Sequence, residues 1–283
     1  MKNATKQKRT TLCPIVVPDH VLKNTTVLSA KAIASVTAFA TAFVPALVHA
    51  DPTGGVVVPG SGSATINYLG GVTQITQSTS RVIIDWTGFD TTSGQVVQFS
   101  QQQGANSIAL NRISGPATSF QGTLQANGRV ILVNNNGFHV NGATMNVYGG
   151  LTISTNGLSS ASTTDFIAGG TNFNFDQSGA INAKVRVTNT SITVDPGREV
   201  ILQGPQVELN GAIITAEGGD IVVAAGNKFQ VAISPTGDDL ISYEVTDPAV
   251  AAGIANAAIQ IDRSILNASN PLGNGGNVLI SAD

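Results

Sequence analysis

The side chains that could perform chemistry are few and scattered along the chain. Asp238 and Asp239 are the only adjacent acids and lie in a stretch of turn-forming residues. Glu217 and Asp220 flank a pair of glycines. A polysaccharide lyase needs carboxylates clustered around a cation, with a base held beside them. Polar turns account for both acidic groups, so a lyase-like enzyme is an alternative without a visible site.

Histidine and cysteine are scarcer still. His139 is the only histidine after residue 50, and Cys13, the only cysteine, lies before it in the first fifty residues. A zinc site or a serine–histidine–acid triad needs more such side chains. No glycine-rich phosphate loop opens a helix. The sequence predicts no catalytic residue, no metal site, no cofactor and no enzymatic activity.

The first fifty residues differ from the rest of the chain. They hold six of the fourteen basic residues and one of the seventeen acids, and the apolar run at 32–47 ends at Val48-His49-Ala50. A basic region, a short apolar region and a small-residue exit form the pattern of a secretory signal peptide. The sequence predicts an extended signal peptide over residues 1–50, cleaved between Ala50 and Asp51. A membrane anchor is the alternative, but the run is shorter than the roughly 20 residues of a spanning helix and contains Pro45.

Removal of this leader leaves an acidic chain. Eight basic and sixteen acidic residues remain, which gives a formal charge of −8. Such a surface repels phosphate, so no nucleic-acid partner is expected. The mature chain also lacks cysteine and can form no disulfide, which suits a chain that stays unfolded while it crosses membranes.

Residues 51–283 have the pattern of short strands separated by turns. Charged residues make up only 11% of the chain, and its 31 glycines punctuate apolar runs such as RVILV at 129–133. Glycines at 197, 204, 211, 218 and 226 recur at nearly even intervals. Three such strands and turns fill roughly twenty residues, the size of one coil of a β-solenoid. The pattern predicts an all-β fold, a right-handed parallel β-helix, with a β-sandwich as the alternative.

The same rhythm sets the expected organisation of the domain. Residues 51–103 lack it and are interpreted as an amino-terminal cap, which a solenoid needs to protect its open edge. Residues 104–283 are interpreted as the β-helix, with an excursion near 234–262 where the rhythm breaks. Ile201, Ile213 and Val222 lie in apolar runs between glycines, and at least two of them are expected to point inward.

Five segments, in order, resemble a known family: NYLGG at 67–71, IDW at 84–86, LNRISG at 110–115, GTLQANGRV at 122–130 and LVNNNG at 132–137. Behind an extended signal peptide, they look like the secretion domain of the filamentous haemagglutinin family, over roughly residues 55–245. The resemblance implies a β-helix with an amino-terminal cap and extra-helical strands. It also implies a two-partner secretion exoprotein, which uses the general secretory machinery and is then recognised by a dedicated outer-membrane β-barrel transporter.

Members of this family act as adhesins, haemagglutinins, cytolysins or contact-dependent toxins. The resemblance therefore implies a protein that passes through the periplasm and is secreted or held at the bacterial cell surface. The expected role is adhesion or haemagglutination, with a host-cell or carbohydrate receptor as a further partner. The alternative is a stand-alone β-helix that binds carbohydrate without a transporter.

The resemblance also marks two turns as the transporter-recognition site. The family commonly shows Asn-Pro-Asn-Gly where this chain has Asn134-Asn135-Asn136-Gly137, and asparagine tolerates the same turn geometry. A second such motif is not evident; its counterpart is Asn111-Arg112-Ile113-Ser114. Recognition is therefore expected at Asn111, Arg112, Asn134, Asn135, Asn136 and Gly137. From the residues alone, a turn whose amides cap the backbone is the other interpretation, and the two are compatible.

Overall fold

The glycine-spaced apolar runs form strands along most of the chain that follows the predicted leader. The computed structural model describes residues 51–177, 179–180, 182–234, 240–248, 258–271, 273 and 275–282. The predicted signal peptide, residues 1–50, lies outside the described residues. Cleavage between Ala50 and Asp51 therefore stays a prediction.

The described residues contain short strands and little helix. In chain order the strands are β1 (Val56–Val57), β2 (Ala64–Leu69), β3 (Val72–Gln77), β4 (Arg81–Trp86), β5 (Val96–Gln101), β6 (Ile108–Ile113), β7 (Thr118–Phe120), β8 (Thr123–Ala126), β9 (Arg129–Asn134), β10 (Phe138–Asn141), β11 (Thr144–Val147), β12 (Leu151–Ser154), β13 (Gly157–Leu158), β14 (Asn172–Gln177), β15 (Lys184–Thr188), β16 (Ser191–Thr193), β17 (Val200–Gly204), β18 (Gln206–Asn210), β19 (Ile213–Thr215), β20 (Ile221–Ile233), β21 (Leu240–Pro248), β22 (Ile259–Asp262), β23 (Ile265–Asn267) and β24 (Val278–Ser281). The helices are α1 (Ser160–Ala168) and a short 3-10 helix, Gly104–Asn106.

Most strands belong to three stacks of parallel pairs. Sheet I joins β4, β6, β9, β12, β17, β20 and β24; sheet II joins β3, β5, β8, β11, β16, β19 and β23; sheet III joins β7, β10, β15, β18 and β22. Consecutive strands lie in different sheets and pair with the strands one coil later: β10 with β15, β11 with β16 and β12 with β17. A chain that visits three parallel sheets in turn is a parallel β-helix, so the predicted fold class is confirmed.

Alternating side chains fill the interior of the β-helix. One inward row of sheet II consists of Val97, Leu124, Met145, Ile192 and Ile214, which the strand register aligns and which are fully buried. Because side chains alternate across a strand, their neighbours point outward. Each coil buries its apolar side chains only by stacking on the adjacent coils, at about 25 cal/mol per Å² of apolar surface removed from water.

A buried ion pair spans three coils of sheet I. Arg129, the first residue of β9, and Glu199, just before β17, are fully buried, and Arg129 Nη2 donates to Glu199 Oε2 over 3.0 Å. Strand β12 lies between β9 and β17 and begins after Gly150. A Cβ at position 150 would lie only 2.9 Å from Glu199 Oε1, so glycine leaves room for the buried carboxylate. Loss of either charge would leave the other buried and unpaired, which costs about 3–5 kcal/mol.

A second apolar cluster lies on the outer face of sheet I. Outward side chains such as Leu110, Ile131 and Ile201 share this cluster with Phe173 and Phe229 from an extra-helical layer of β13, α1, β14, β21 and the end of β20. Strand β20 serves both layers, because its first half pairs in parallel with β17 and its second half pairs antiparallel with β14. The outer face of sheet I therefore carries a buried apolar cluster where this layer covers it.

Helix α1 has a defined start and end. Ser159 Oγ accepts a hydrogen bond from the backbone nitrogen of Ser162 at 3.0 Å, which caps the first turn. Gly169 ends the helix with a φ of 93°, a left-handed conformation that glycine adopts without strain. The buried ring of Phe166 lies 5.9 Å from that of Phe173, centroid to centroid. Within the described residues, no helix has the length and apolar character needed to cross a bilayer.

Antiparallel strands begin the parallel stacks. β1 pairs with β4, and β2 pairs with β3, so the first parallel strands of sheets I and II do not present a free edge. Parallel pairing starts with β4–β6 and β3–β5, which include strands before residue 104. The division into a cap over 51–103 and a β-helix over 104–283, with an excursion near 234–262, stays a prediction.

The register corrects the expected inward positions. Ile201 and Val222 are buried, but in the outer cluster, whereas their neighbours Val200 and Ile221 face the interior. Ile213 is 48% exposed on the outer face of sheet II. The expectation that at least two of these three residues point inward is wrong, because a shift of one residue along a strand exchanges its two faces.

Substitution by aspartate distinguishes the covered outer face of sheet I from the exposed outer face of sheet II. We expect Ile201→Asp and Val222→Asp each to lower the free energy of unfolding by about 3 kcal/mol or more, since each places a charge in an apolar cluster. Ile213→Asp is the matched control on an exposed face and should change it by less than about 1 kcal/mol. Urea unfolding followed by circular dichroism measures all three variants. Equal losses at the three positions would contradict the register.

Candidate functional site

Neighbouring coils of sheet I bring the two predicted recognition turns together. β6 ends at Ile113, β9 ends at Asn134, and these two residues are register partners. Polar turn residues follow each strand, so Ser114 and Asn135 leave the sheet at the same edge. The six residues that the sequence marks for recognition therefore lie near one another, but they divide into a buried set and an accessible set.

Asn111 belongs to the interior. It is fully buried and in register with Leu132 on the next coil. Its Oδ1 accepts a hydrogen bond from Nε1 of Trp86 at 3.0 Å, and its Nδ2 donates to the carbonyl oxygens of Ala109 and Ile131, each at 3.3 Å. A buried amide must be satisfied in this way. Asn111 therefore holds the indole in place and is not accessible to a partner of the folded domain.

Asn134 closes its turn from the inside. It is fully buried, and its Nδ2 donates to the carbonyl of Pro116 at 2.8 Å and to Thr118 Oγ1 at 2.9 Å. Its Oδ1 accepts from the backbone nitrogen of Asn136 at 2.9 Å. Gly137 has a φ of 123°, a conformation that other residues adopt only with strain. Asn134 and Gly137 thus belong to a turn in which the Asn134 side-chain amide bonds the Pro116 carbonyl and the Asn136 backbone nitrogen.

Arg112 lies on the outer face of sheet I beside the buried asparagines. It makes a two-point ion pair with Asp85, with Nε to Oδ1 at 2.6 Å and Nη2 to Oδ2 at 2.8 Å. The two side chains are 39% and 50% exposed, so solvent weakens the pair. The pair therefore orients the guanidinium while leaving it accessible.

Asn135 and Asn136 are the accessible amides of the second turn. Asn136 is exposed and donates to the carbonyl of Gly115 at 2.8 Å, and the half-buried Asn135 donates to the carbonyl of Gln177 at 3.1 Å. The Oδ1 atoms of both residues accept no hydrogen bond within the described residues. Each turn amide therefore keeps a free acceptor at the surface.

The accessible residues line one groove of about 440 Å³. Its apolar surface comes from Ile113, Val133 and Leu158, with polar groups around it. An apolar floor with polar groups on the rim suits a polypeptide partner. We call this feature the turn groove, lined by Arg112, Ile113, Ser114, Val133, Asn135, Asn136, Gly157, Leu158, Ser160, Thr163 and Gln177.

One wall of the turn groove was not anticipated from the sequence. Ser160 and Thr163 reach it from the first turn of α1, and Leu158 reaches it from β13. The serine cap of α1 at Ser159 is the local signal that the sequence offered for this helix. Nothing in its spacing indicated that the helix would pack beside the turn at 134–137.

The described residues hold no grouping suited to metal chemistry. No three His, Cys, Asp or Glu side chains come together among them as ligands. His139 lies in sheet III, where partial burial lowers its pKa and Arg186 and Lys184 lower it further, against an opposite effect of Glu208. His139 is therefore neutral at neutral pH. The predicted acidic pair Asp238-Asp239 lies outside the described residues.

Asn111→Ala separates the interior role from the accessible one. The substitution leaves the Trp86 indole without an acceptor in an apolar interior, so the free energy of unfolding should fall by about 1–3 kcal/mol. Asn136→Ala is the matched control in the accessible turn, with an expected loss below about 1 kcal/mol. Urea unfolding monitored by fluorescence measures both, since Trp86 is the only tryptophan. Equally small losses would contradict the interior role of Asn111.

Comparison with known proteins places these features in one family. A family model described as the TPS secretion domain matches residues 48–279. A heme/hemopexin-binding protein of Haemophilus influenzae (strain Rd) is 32% identical over 215 residues, which is 74% of this chain and 22% of that protein. A second heme/hemopexin-binding protein of Haemophilus influenzae is 42% identical over 77 residues, 26% of this chain and 8% of its own length. The chain thus spans about a fifth or less of these curated relatives.

A solved structure agrees with the sequence relatives. The crystal structure of the HMW1 secretion domain from Haemophilus influenzae superimposes with a TM-score of 0.58 at 30% sequence identity, over 71% of this chain and 50% of that one. The family model covers most of the chain, including both turns at which recognition is predicted and nearly all of the three parallel sheets. The resemblance carried by the five sequence segments is confirmed: this chain belongs to the TPS secretion domain family, the secretion domains of two-partner secretion exoproteins.

Proposed function

We propose that this chain is exported to the cell surface by a dedicated outer-membrane β-barrel transporter, which recognises it at the turn groove. The observation that carries the proposal is the position of Arg112, Asn135 and Asn136 in one groove of a domain whose family defines a secretion route. The proposed route begins with cleavage between Ala50 and Asp51 and passes through the periplasm. The product is secreted or held at the surface.

The accessible turn amides support recognition of a polypeptide. Asn135 and Asn136 each use the amide nitrogen in an intramolecular hydrogen bond and keep Oδ1 available. A carbonyl oxygen at a groove rim accepts hydrogen bonds from the backbone of a partner without requiring a particular side chain. The guanidinium of Arg112 adds a donor for a carbonyl or carboxylate of the transporter.

The buried asparagines act in the folding of the domain. Asn111 and Asn134 are fully buried and hydrogen-bonded, so in the folded domain they contribute to stability rather than to a surface. Both become accessible only in the unfolded chain. We assign Asn111, Asn134 and Gly137 to the folding of the domain, and the accessible residues to the turn groove.

Adhesion or haemagglutination is the proposed role at the surface, without enzymatic activity. The sequence after residue 50 contains one histidine and no cysteine, and this scarcity of catalytic side chains supports a binding role. Two relatives are named for binding heme and hemopexin, but this chain corresponds to 22% or less of their length. That activity is therefore not carried over to this chain.

Export measured beside stability tests the proposed site. We expect Asn135→Ala/Asn136→Ala to reduce the fraction of chain exported through the cognate transporter severalfold, because two accessible groups of the groove are lost. The two side-chain hydrogen bonds removed are worth about 1 kcal/mol each, so the melting temperature of the refolded variant should fall by only about 4–8 °C. Asn172→Ala/Asn174→Ala is the matched control, since it removes two exposed amides of β14 that make no side-chain hydrogen bond within the described residues.

The site assignment depends on the difference between these two variants. If both double variants are exported equally well, the turn groove is not the recognition site. If export of Asn135→Ala/Asn136→Ala falls only in proportion to its lost stability, these amides are merely structural. Neither outcome would alter the family membership of the chain.

A further inference from the structure

An outward row of amide and hydroxyl side chains crosses sheet II. The strand register aligns Gln74, Gln98, Gln125 and Asn146, one on each of four adjacent strands. These residues alternate along their strands with buried ones, so the pleat directs all four away from the interior. We call these four residues the amide row. The register continues it through the hydroxyl and amide side chains of Thr193, Thr215 and Asn267.

The stability of the domain does not account for the amide row. None of its four side chains makes a hydrogen bond within the described residues; Gln125 is exposed, and the other three are half-buried. Two inward glutamines of the same strands behave differently: Gln101 Nε2 donates to Gln77 Oε1 over 2.9 Å, and both are buried. The inward glutamines are hydrogen-bonded to one another, whereas the outer amides make no such bond among the described residues.

A tyrosine ring adjoins the amide row. Gln98, Gln125, Asn146 and Tyr148 line one open groove of about 380 Å³. Tyr148 is 48% exposed. Asn127 lies in the same groove and is held by two hydrogen bonds to the backbone of the neighbouring strand, at 2.7 and 2.8 Å. The groove therefore offers a ring for packing and several amides for hydrogen bonds on a rigid sheet.

This combination fits a carbohydrate without charge. A primary amide donates and accepts at once, as adjacent hydroxyls of a sugar require, and an aromatic ring packs against the apolar face of a pyranose. Among the described residues, no Asp, Glu, Lys, Arg or His side chain lines the groove, so they supply no cation to attract sulfate, phosphate or carboxylate. The excess of acidic over basic residues in the chain repels anionic glycans further.

The geometry of the sheet also favours an extended sugar chain over a peptide. Neighbouring strands lie about 4.8 Å apart, close to the length of one sugar residue in an extended polysaccharide. The four strands of the amide row are each paired on both sides within sheet II. A peptide that binds by strand addition needs an unpaired edge, which this surface does not offer.

We propose that Gln98, Gln125 and Asn146 of the amide row form, with Tyr148, a binding site for an extended, neutral oligosaccharide. The site rests on the proposed adhesive role for its biological meaning, but not for its geometry. Its residues differ from those of the turn groove. Carbohydrate binding and transporter recognition are therefore separable functions of the domain.

Calorimetric titration of the purified, refolded full chain tests the site directly. The probes are cellohexaose, chitohexaose and mannohexaose, with a heparin hexasaccharide as the charged comparison. We expect at least one neutral probe to bind with a Kd below about 1 mM, and Gln98→Ala/Gln125→Ala to weaken it about tenfold or more, as the loss of two hydrogen bonds implies. Tyr148→Ala should weaken it independently. Gln206→Ala/Gln260→Ala, on sheet III, is the matched control and should bind as the unaltered chain does.

Several results would overturn the proposal. These are no binding of any neutral probe, equal binding by Gln98→Ala/Gln125→Ala, and preference for the heparin fragment. Self-association of the chain that Gln98→Ala/Gln125→Ala abolishes would show that the surface pairs with a second copy instead. Unchanged circular dichroism and melting temperature establish that each variant is folded. The assay uses no transporter, so its failure is distinct from a failure of the export experiment.

Discussion

The requirement that every coil stack in register on its neighbours controls the rest of this structure. A single coil of three short strands cannot enclose its own apolar side chains, so Val97, Leu124 and Met145 are buried only because their strands align. The same register also aligns what points outward. A row of identical side-chain chemistry, such as Gln98, Gln125 and Asn146, is thus a direct product of the stacking, and it gives the outer surfaces a periodic character that isolated loops lack.

The outer faces of sheets I and II differ in chemistry. Sheet I has an apolar cluster on part of its outer face, where the extra-helical layer covers it and supplies Phe173 and Phe229. This layer brings α1 to the end of β9 and completes the turn groove, which the coils alone would not form. Sheet II leaves its outer face open, with a row of amides on some strands and exposed apolar side chains such as Ile213 on others. Recognition by the export machinery and binding of a ligand are therefore proposed on surfaces that differ in both origin and chemistry.

The sequence predicted the coil pattern but not the faces of individual strands. The spaced glycines and apolar runs predicted the parallel β-helix, since turn-forming residues determine where strands end. The sequence did not distinguish Ile213 from Ile201 as inward positions, although Ile213 is exposed and Ile201 is buried. Successive apolar residues carry no local sign of which face of the strand is covered. The buried role of Asn111 depends on Trp86 from another coil, and the wall that α1 adds to the turn groove depends on tertiary packing. Neither contact leaves a signal in the spacing of residues.

We expect export of this domain to depend on a dedicated outer-membrane transporter, and expression with and without that transporter measures the dependence. The full chain is expressed with and without its cognate β-barrel partner, and the fraction of chain outside the cell is compared with the fraction in the periplasm. Abundant extracellular or surface-held chain is expected only when the transporter is present, and periplasmic, protease-sensitive chain in its absence. Equal export without the transporter, or retention in the periplasm despite it, would show that export does not depend on this partner.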